Sequence, residues 1–423
     1  MQAKRHFKRL SLQATATKDM LTRTSSLRVF ITICAIVWLG TDTVLAQNSL
    51  GEFHKVLREK AAFNAADFAA LEQGHTVVKL LPEQDKSEVA VCGLVSLQVT
   101  PEVFLQSFRD SMARKSNPAI LEIGSFSSSP TLDDLQTLTI ENRDIEDLKE
   151  CVVGDCRLKL SAKMIERFRK EINWEAPDYR IQATQLLKQM LLDYVRDYLA
   201  RGDAALIEYN DKPKEVRLAE EQGALMAGSI YLNGVLTELP PYLKGFAGAE
   251  RSIVENAFVW SKIKFGLKPV IAINHVMIYK RELETGPQIL IASKQIYANH
   301  YFDSSLALTA FVSLPGSTSY LFYENRSRAD GLEGAFSKLK RGIVENKSVA
   351  ALKGILEQSK VNLTNRALSQ TELAPSLAGE RSWRRWKVGF RLFLWLFIIT
   401  AFVGLFTLGN YAWRGGISRV APN

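Results

Sequence analysis

The spacing of apolar positions changes character twice along the chain. Over 52–72, Phe53, Val56, Leu57, Phe63, Phe68 and Leu71 recur at helical intervals, and Gly74 stops the helix. Residues 75–81 and 89–99 then read as strands, the second rich in β-branched side chains, across a polar turn at 82–88. Thr100-Pro101-Glu102 opens a helix: Thr as N-cap, Pro in the first turn, an acid at the positive end of the dipole. Val103, Phe104 and Phe108 give that helix an apolar face.

Between 131 and 250 the pattern is helical. Segments 162–172 and 179–201 carry wide apolar stripes, Gly202 supplies a C-cap, and 220–231 predicts a further helix. From Ala257 the period becomes two. Segments 257–265, 269–280, 288–301, 305–314 and 319–325 predict consecutive strands, and their short links predict an antiparallel meander. Neither face of 288–301 is purely apolar, which fits a sheet with a helix on one side and a cavity or solvent on the other. A closing helix is predicted over 330–358, with Leu332, Phe336, Leu339, Ile343, Val344, Leu352, Ile355 and Leu356 as its buried stripe.

The ends differ from this body. Residues 392–413 (LFLWLFIITAFVGLFTLGNYAW) carry no charge, and about 33 Å of helix at about 1.5 Å per residue is enough to cross a bilayer core. Trp383, Trp386, Tyr411 and Trp413 stand where interfacial aromatic rings are favoured. Near the start, a basic lead precedes an apolar run at 29–41 and Val44-Leu45-Ala46, as in a signal peptide cleaved after Ala46. The expected organisation is therefore a signal peptide over 1–46 and a first part of an α+β domain over 47–130. A helical insertion over 131–250 follows, then the sheet and closing helix over 251–358. A polar tether over 359–391, a transmembrane helix over 392–413 and a tail over 414–423 complete the chain. This places the body on the exported side of a cell membrane, single-pass, although the more basic flank precedes the last apolar run, against the positive-inside preference.

Charge sharpens this picture. The formal net charge is +9, but residues 1–46 carry +5 and 381–423 carry +7, leaving 47–380 at −3. The basic excess lies beside the apolar segments, and the body has no electrostatic footprint for nucleic acid. Cys151 and Cys156 bracket Val-Val-Gly-Asp, a turn-like spacer suited to a local disulfide in an oxidising compartment. No His lies near enough to complete a metal site there, and no pattern for a cofactor is present.

Candidate chemistry is sparse. The densest polar and aromatic cluster is 294–303, with Lys294, Tyr297 and His300, and His275 lies on the preceding strand. A hairpin centred at 284–287 sets His275 opposite Ile296 and Lys294 opposite Met277, and parity puts Lys294 and His300 on one face. A Lys and a His in a half-apolar cavity could polarise a carbonyl or grip a carboxylate. The ordinary alternative is exposed strand residues, or a His satisfied by a neighbour. Arg326 and Arg328, flanked by acids, could clamp an anionic head group; the alternative is a local salt-bridge network with Asp330 as a cap. There is no Gly-rich phosphate loop, HExxH, GxSxG or CxxC pair.

The order of two strands, a helix opened by Thr-Pro-Glu-Val-Phe, a later antiparallel meander and a long final helix resembles the START-like helix-grip (SRPBCC) superfamily over about 75–115 and 257–358. That resemblance implies an antiparallel sheet wrapped on its last helix around an apolar cavity, and hence ligand binding. The strings Cys151-Val-Val-Gly-Asp-Cys156-Arg-Leu-Lys-Leu and Ala292-Ser-Lys-Gln-Ile-Tyr-Ala-Asn-His-Tyr-Phe302 are similar to those of an uncharacterised family of exported bacterial proteins, which brings no activity with it. Three classes of function follow, in this order: a membrane-anchored binder of a lipid-like or other apolar ligand, a structural or assembly protein of the envelope acting through protein partners, and an enzyme using His275, Lys294 or His300.

Overall fold

Five long strands follow one another between residues 254 and 329, with no helix among the described residues there, and they organise the body. A computed structural model describes residues 51–112, 119–236, 239–244, 254–266, 268–283, 286–314, 318–329, 332 and 337–373. The expected signal peptide, the membrane run at 392–413, the tail and Asp330 lie outside the described residues. Among the described residues no helix is long and apolar enough to cross a membrane.

In chain order the elements are α1 (Ala65–Glu72), β1 (Val77–Leu80), β2 (Glu88–Leu97), α2 (Pro101–Met112), β3 (Ile120–Phe126), α3 (Asn142–Glu150), α4 (Ala162–Glu171) and α5 (Tyr179–Arg201). Then come β4 (Glu208–Tyr209), β5 (Val216–Arg217), α6 (Leu218–Gly228), α7 (Ile230–Gly234) and α8 (Pro240–Lys244). The chain continues through β6 (Val254–Ile263), β7 (Val270–Leu283), β8 (Gly286–Ala298), β9 (Phe302–Ser313), β10 (Ser319–Ala329) and α9 (Ser337–Leu373). The protein is α+β, with one eight-stranded sheet in the order β1-β2-β10-β9-β8-β7-β6-β3. All its pairings are antiparallel.

Sequence periodicity and structure agree on the meander, on α5 and on the start of α2, where Thr100 Oγ1 accepts from the Val103 N–H at 3.3 Å. They differ elsewhere for identifiable reasons. The helix expected over 52–72 breaks, because Ala62 takes a positive φ of 53° and Asn64 starts α1 afresh with a reciprocal capping box. The edge strand β3 carries Glu122, Gly124 and Ser125, too polar to signal a strand on its own. α9 runs on through residues expected to be a tether, since Ser359 and Leu363 continue its buried face.

Helices cover both faces of the sheet, so neither face is left to solvent as the mixed alternation of 288–301 suggested. On one face, Val91, Val95, Ile291, Phe311 and Leu321 pack against Phe104 and Phe108 of α2 and Leu352, Ile355 and Leu356 of α9. The approach is close: a Cβ added at Gly93 would stand 2.5 Å from Leu356 Cδ1. On the other face, Phe258, Trp260, Ile271, Ile273 and Tyr297 pack against the insertion through Leu187, Leu191, Tyr194 and Tyr198 of α5. Farther along that face, Phe53 and Tyr231 sit on Phe322 of β10, with ring centroids 5.8 and 5.1 Å away.

Candidate functional site

The polar residues singled out in the sequence fall into three separate clusters, all between the sheet and the helices of the insertion side.

The first cluster is built by the β7–β8 hairpin. Leu283 pairs with Gly286, so the turn is tighter than expected, and His275 stands directly opposite Lys294 rather than Ile296, with Met277 opposite Ala292. Both residues are fully buried. Lys294 Nζ donates to the Leu243 carbonyl at 2.9 Å and to the Asp203 carboxylate, and lies over the Tyr198 ring at 5.8 Å. The Phe258 ring stacks on His275 with centroids 4.5 Å apart. Asn256 presents its carbonyl oxygen to Nε2 of His275 at 2.8 Å, which puts the ring proton on Nε2 and leaves Nδ1 to accept from the Tyr198 hydroxyl at 3.1 Å. Burial, aided by the Lys294 charge, pushes the His275 pKa down to about 3. A neutral imidazole with both nitrogens engaged is a positioned core histidine rather than a poised base.

The second cluster joins the two strings noted above. A bulge in the β7–β8 register between Ile273 and Asn274 adds a residue on β8, and the strand ends at Ala298. His300 therefore lies past the end of β8, in a different cluster from Lys294. It sits in the β8–β9 turn, beside Tyr301 with its positive φ of 62°, and its Nε2 lies 3.0 Å from the Asp144 carboxylate. Lys268 also donates to Asp144, at 3.0 Å, and to Asp147. Burial raises the Asp144 pKa, but the hydrogen bonds and charges of His300 and Lys268 outweigh it and hold the carboxyl below its usual value. Lys159, 2% exposed, donates to Asp303 at 2.6 Å, and its backbone N–H donates to the Asn299 carbonyl at 2.9 Å.

Cys151 and Cys156 are joined in a disulfide that closes the loop leading into Lys159. The loop is pinned by Gly154 N–H to the Asn210 carbonyl at 2.8 Å and Cys156 N–H to the Asp211 carbonyl at 2.9 Å. Tyr297 lies deep beside this cluster among Tyr194 and Tyr209. Burial, with Asp144 and Asp211 adding to it, drives its phenol pKa far up.

The third cluster lies at the start of α7. Glu324 accepts from the N–H groups of Ile230 at 3.0 Å and Tyr231 at 3.1 Å and from the Ser229 hydroxyl at 2.9 Å. Arg326 donates to Glu324 at 3.0 Å, to Glu88 at 2.6 Å and to the Pro82 carbonyl at 3.1 Å. Arg328 donates to Glu221 at 2.8 Å. Both arginines are thus engaged by the protein's own acids. The network extends well beyond a local run around 324–330, because Glu88 and Glu221 come from β2 and α6.

Sequence reasoning missed Asp144, Asp147, Lys159, Asp203, Lys268, Glu88 and Tyr198 as members of these clusters. One available signal was charge at inward parity within strands: Glu324 and Arg326 continue the face of β10 that Tyr320 and Phe322 begin. Among the described residues no group of three or more His, Cys, Asp or Glu side chains is arranged to hold a metal ion. Compared with models of known protein families and with characterised proteins, the chain finds no match to either.

Proposed function

We propose that this chain is an exported, membrane-tethered scaffold of the cell envelope that acts through a protein partner docked on its helical insertion. The observation that carries this reading is where the exposed large apolar side chains stand. Leu132, Val152, Val153 and Ile181 all belong to the insertion, against Leu80, Val361 and Leu368 elsewhere among the described residues. Leu132, Ile172 and Leu186 line an open groove of about 680 Å³ whose rim is Gln182, Gln185, Gln189, Glu171 and Lys188, and Ile181, 61% exposed, adjoins it on α5. Val152 and Val153 project from the disulfide-closed loop, already held in one shape. Preorganised apolar side chains bind with little ordering cost. The buried clusters support the same reading, since their charged side chains meet one another rather than an open space.

A photo-reactive amino acid at position 181 in living cells should give one discrete adduct of higher mass, lost on Leu132→Glu. The same group at exposed Glu59 should give none. No adduct at 181, or equal adducts at both positions, would refute the reading.

A second reading is the helix-grip one, a lipid-like ligand held between the sheet and α2/α9. One observation favours it. The hydroxyls of Ser261 and Thr309 on the sheet and Ser359 on α9 are buried in that layer with no hydrogen-bond partner. Such groups call for a water or a ligand atom. Native mass spectrometry of the full chain in mild detergent should then show a retained lipid that Thr309→Val loses. A bare mass would remove this reading.

A further inference from the structure

α9 is buried along one side only. Leu352, Ile355, Leu356, Ser359 and Leu363 face the sheet. The opposite stripe is exposed and runs Ala350, Gly354, Glu357, Val361, Asn365, Leu368. Val361 is 52% exposed and Leu368 58%, and a Cβ at Gly354 would meet nothing within 4 Å. Gly354, Val361 and Leu368 fall one heptad apart, the repeat by which two helices keep a shared seam. Glu357 stands one turn after exposed Lys353, a spacing that lets the pair offset each other's charge. A seam with heptad-spaced apolar residues, a glycine at one end and one carboxylate, Glu357, within reach of Lys353, suits a helix of the same kind laid alongside.

We propose that the outer face of α9 pairs two copies of this chain, in parallel, through Gly354, Val361 and Leu368. The parallel direction rests on the membrane-tether reading. α9 ends at Leu373, shortly before the uncharged run that begins at Leu392. Two copies held in one bilayer carry α9 the same way up, so the same residues meet across a two-fold axis. Confinement to the membrane also raises the effective concentration of each seam for the other. A lipid surface is the poorer occupant, because the stripe offers a single exposed cation, Lys353, to anionic head groups. An unrelated protein would not require a self-complementary heptad.

The test is a single-cysteine scan of the full-length chain in its own membranes. Cys92 is buried and Cys151–Cys156 is closed, so the parent chain with Cys34→Ser is the blank. Mild oxidation should give covalent dimers with V361C and L368C several-fold above those with Q358C and N362C, which lie off the seam. V361D/L368D should convert the detergent-solubilised parent from dimer to monomer mass with its folded circular dichroism spectrum retained, because both positions are exposed on the single chain. A monomeric parent, cross-linking indifferent to position, or an adduct of any other mass would overturn the proposal. Whether the chain sediments with membranes tests the anchor separately, and the cross-linking pattern tests the dimer in either fraction.

Discussion

Under α2 and α9 the sheet presents Val91, Val95, Val276, Ile278, Ile291 and Phe311, and the buried polar residues of that layer are hydroxyls, Gln295 and Asn325, none of them charged. Against the insertion side the same strands bury Glu88, Lys262, His275, Lys294, Glu324 and Arg326. Every buried acidic or basic side chain among the described residues lies on that second side. Apolar contact is non-directional, so it holds a helix on a sheet without fixing its position along it. A buried ion pair tolerates no such sliding, because a displaced partner leaves a charge in a dry site. In their buried layer α2 and α9 are positioned by shape, as where Leu356 fills the space above Gly93, and their ion pairs, Arg109–Glu255 and Arg366–Asp110, lie at its more exposed rim. The insertion is set by charges in three places. The contrast explains why the residues that looked like a reactive site are internal: they are the fastenings between two layers.

Removing a fastening should have the largest effect. Arg326→Leu leaves Glu324 buried without its cation and Glu88 with Arg328 at 3.6 Å in place of its close partner, and should cost about 3–5 kcal/mol in chemical denaturation. An effect below about 1 kcal/mol, the range of exposed pairs, would mean that the charges do not hold the layers.

Acid should act next. His275 has an unfolded pKa near 6.5 and a folded value near 3, so between these the unfolded chain binds the extra proton. Its contribution is complete above pH 6.5 and is lost as pH falls towards 3. Unfolding free energy measured across this window should fall with a slope that His275→Gln reduces by one proton. An unchanged slope would show that His275 is not held neutral.

The disulfide should matter less. It closes a short loop, and Cys151→Ser/Cys156→Ser should lower stability by about 2 kcal/mol on chain-entropy grounds. The smallest effect is expected on the apolar face. Thr309→Val removes a hydroxyl that has no partner and should change stability by less than about 1 kcal/mol, in the stabilising direction. A loss of more than that would mean that a water or ligand meets Thr309 there.

Much of the fold could be read from the chain because its signals are local. The alternation from 257 to 325 reports the meander, and Thr100-Pro101-Glu102 marks a helix start whatever surrounds it. β3 could not be read, since its place beside β6 depends on pairing rather than on its own side chains. For the polar clusters, residue type was informative and partnership was not. Lys294 and His300 share parity in sequence, but the β8 bulge sends one to Asp203 and the other to Asp144. Lys159 and Asp303 are far apart along the chain and come together only when the insertion closes on the sheet. Register, bulges and long-range ion pairs are tertiary facts with no local trace.

The most direct test of the fastening account is a double-mutant cycle across Lys159 and Asp303, with Lys159→Met, Asp303→Leu and the pair measured by equilibrium unfolding. The account predicts that each single change is strongly destabilising and that the double variant is no worse than the weaker single one, because each single change removes the 2.6 Å partner of a buried charge, leaving Lys159 with Asp211 at 4.0 Å, and the double change removes both members of the pair. Additive losses, or either single change without effect on stability, would contradict it.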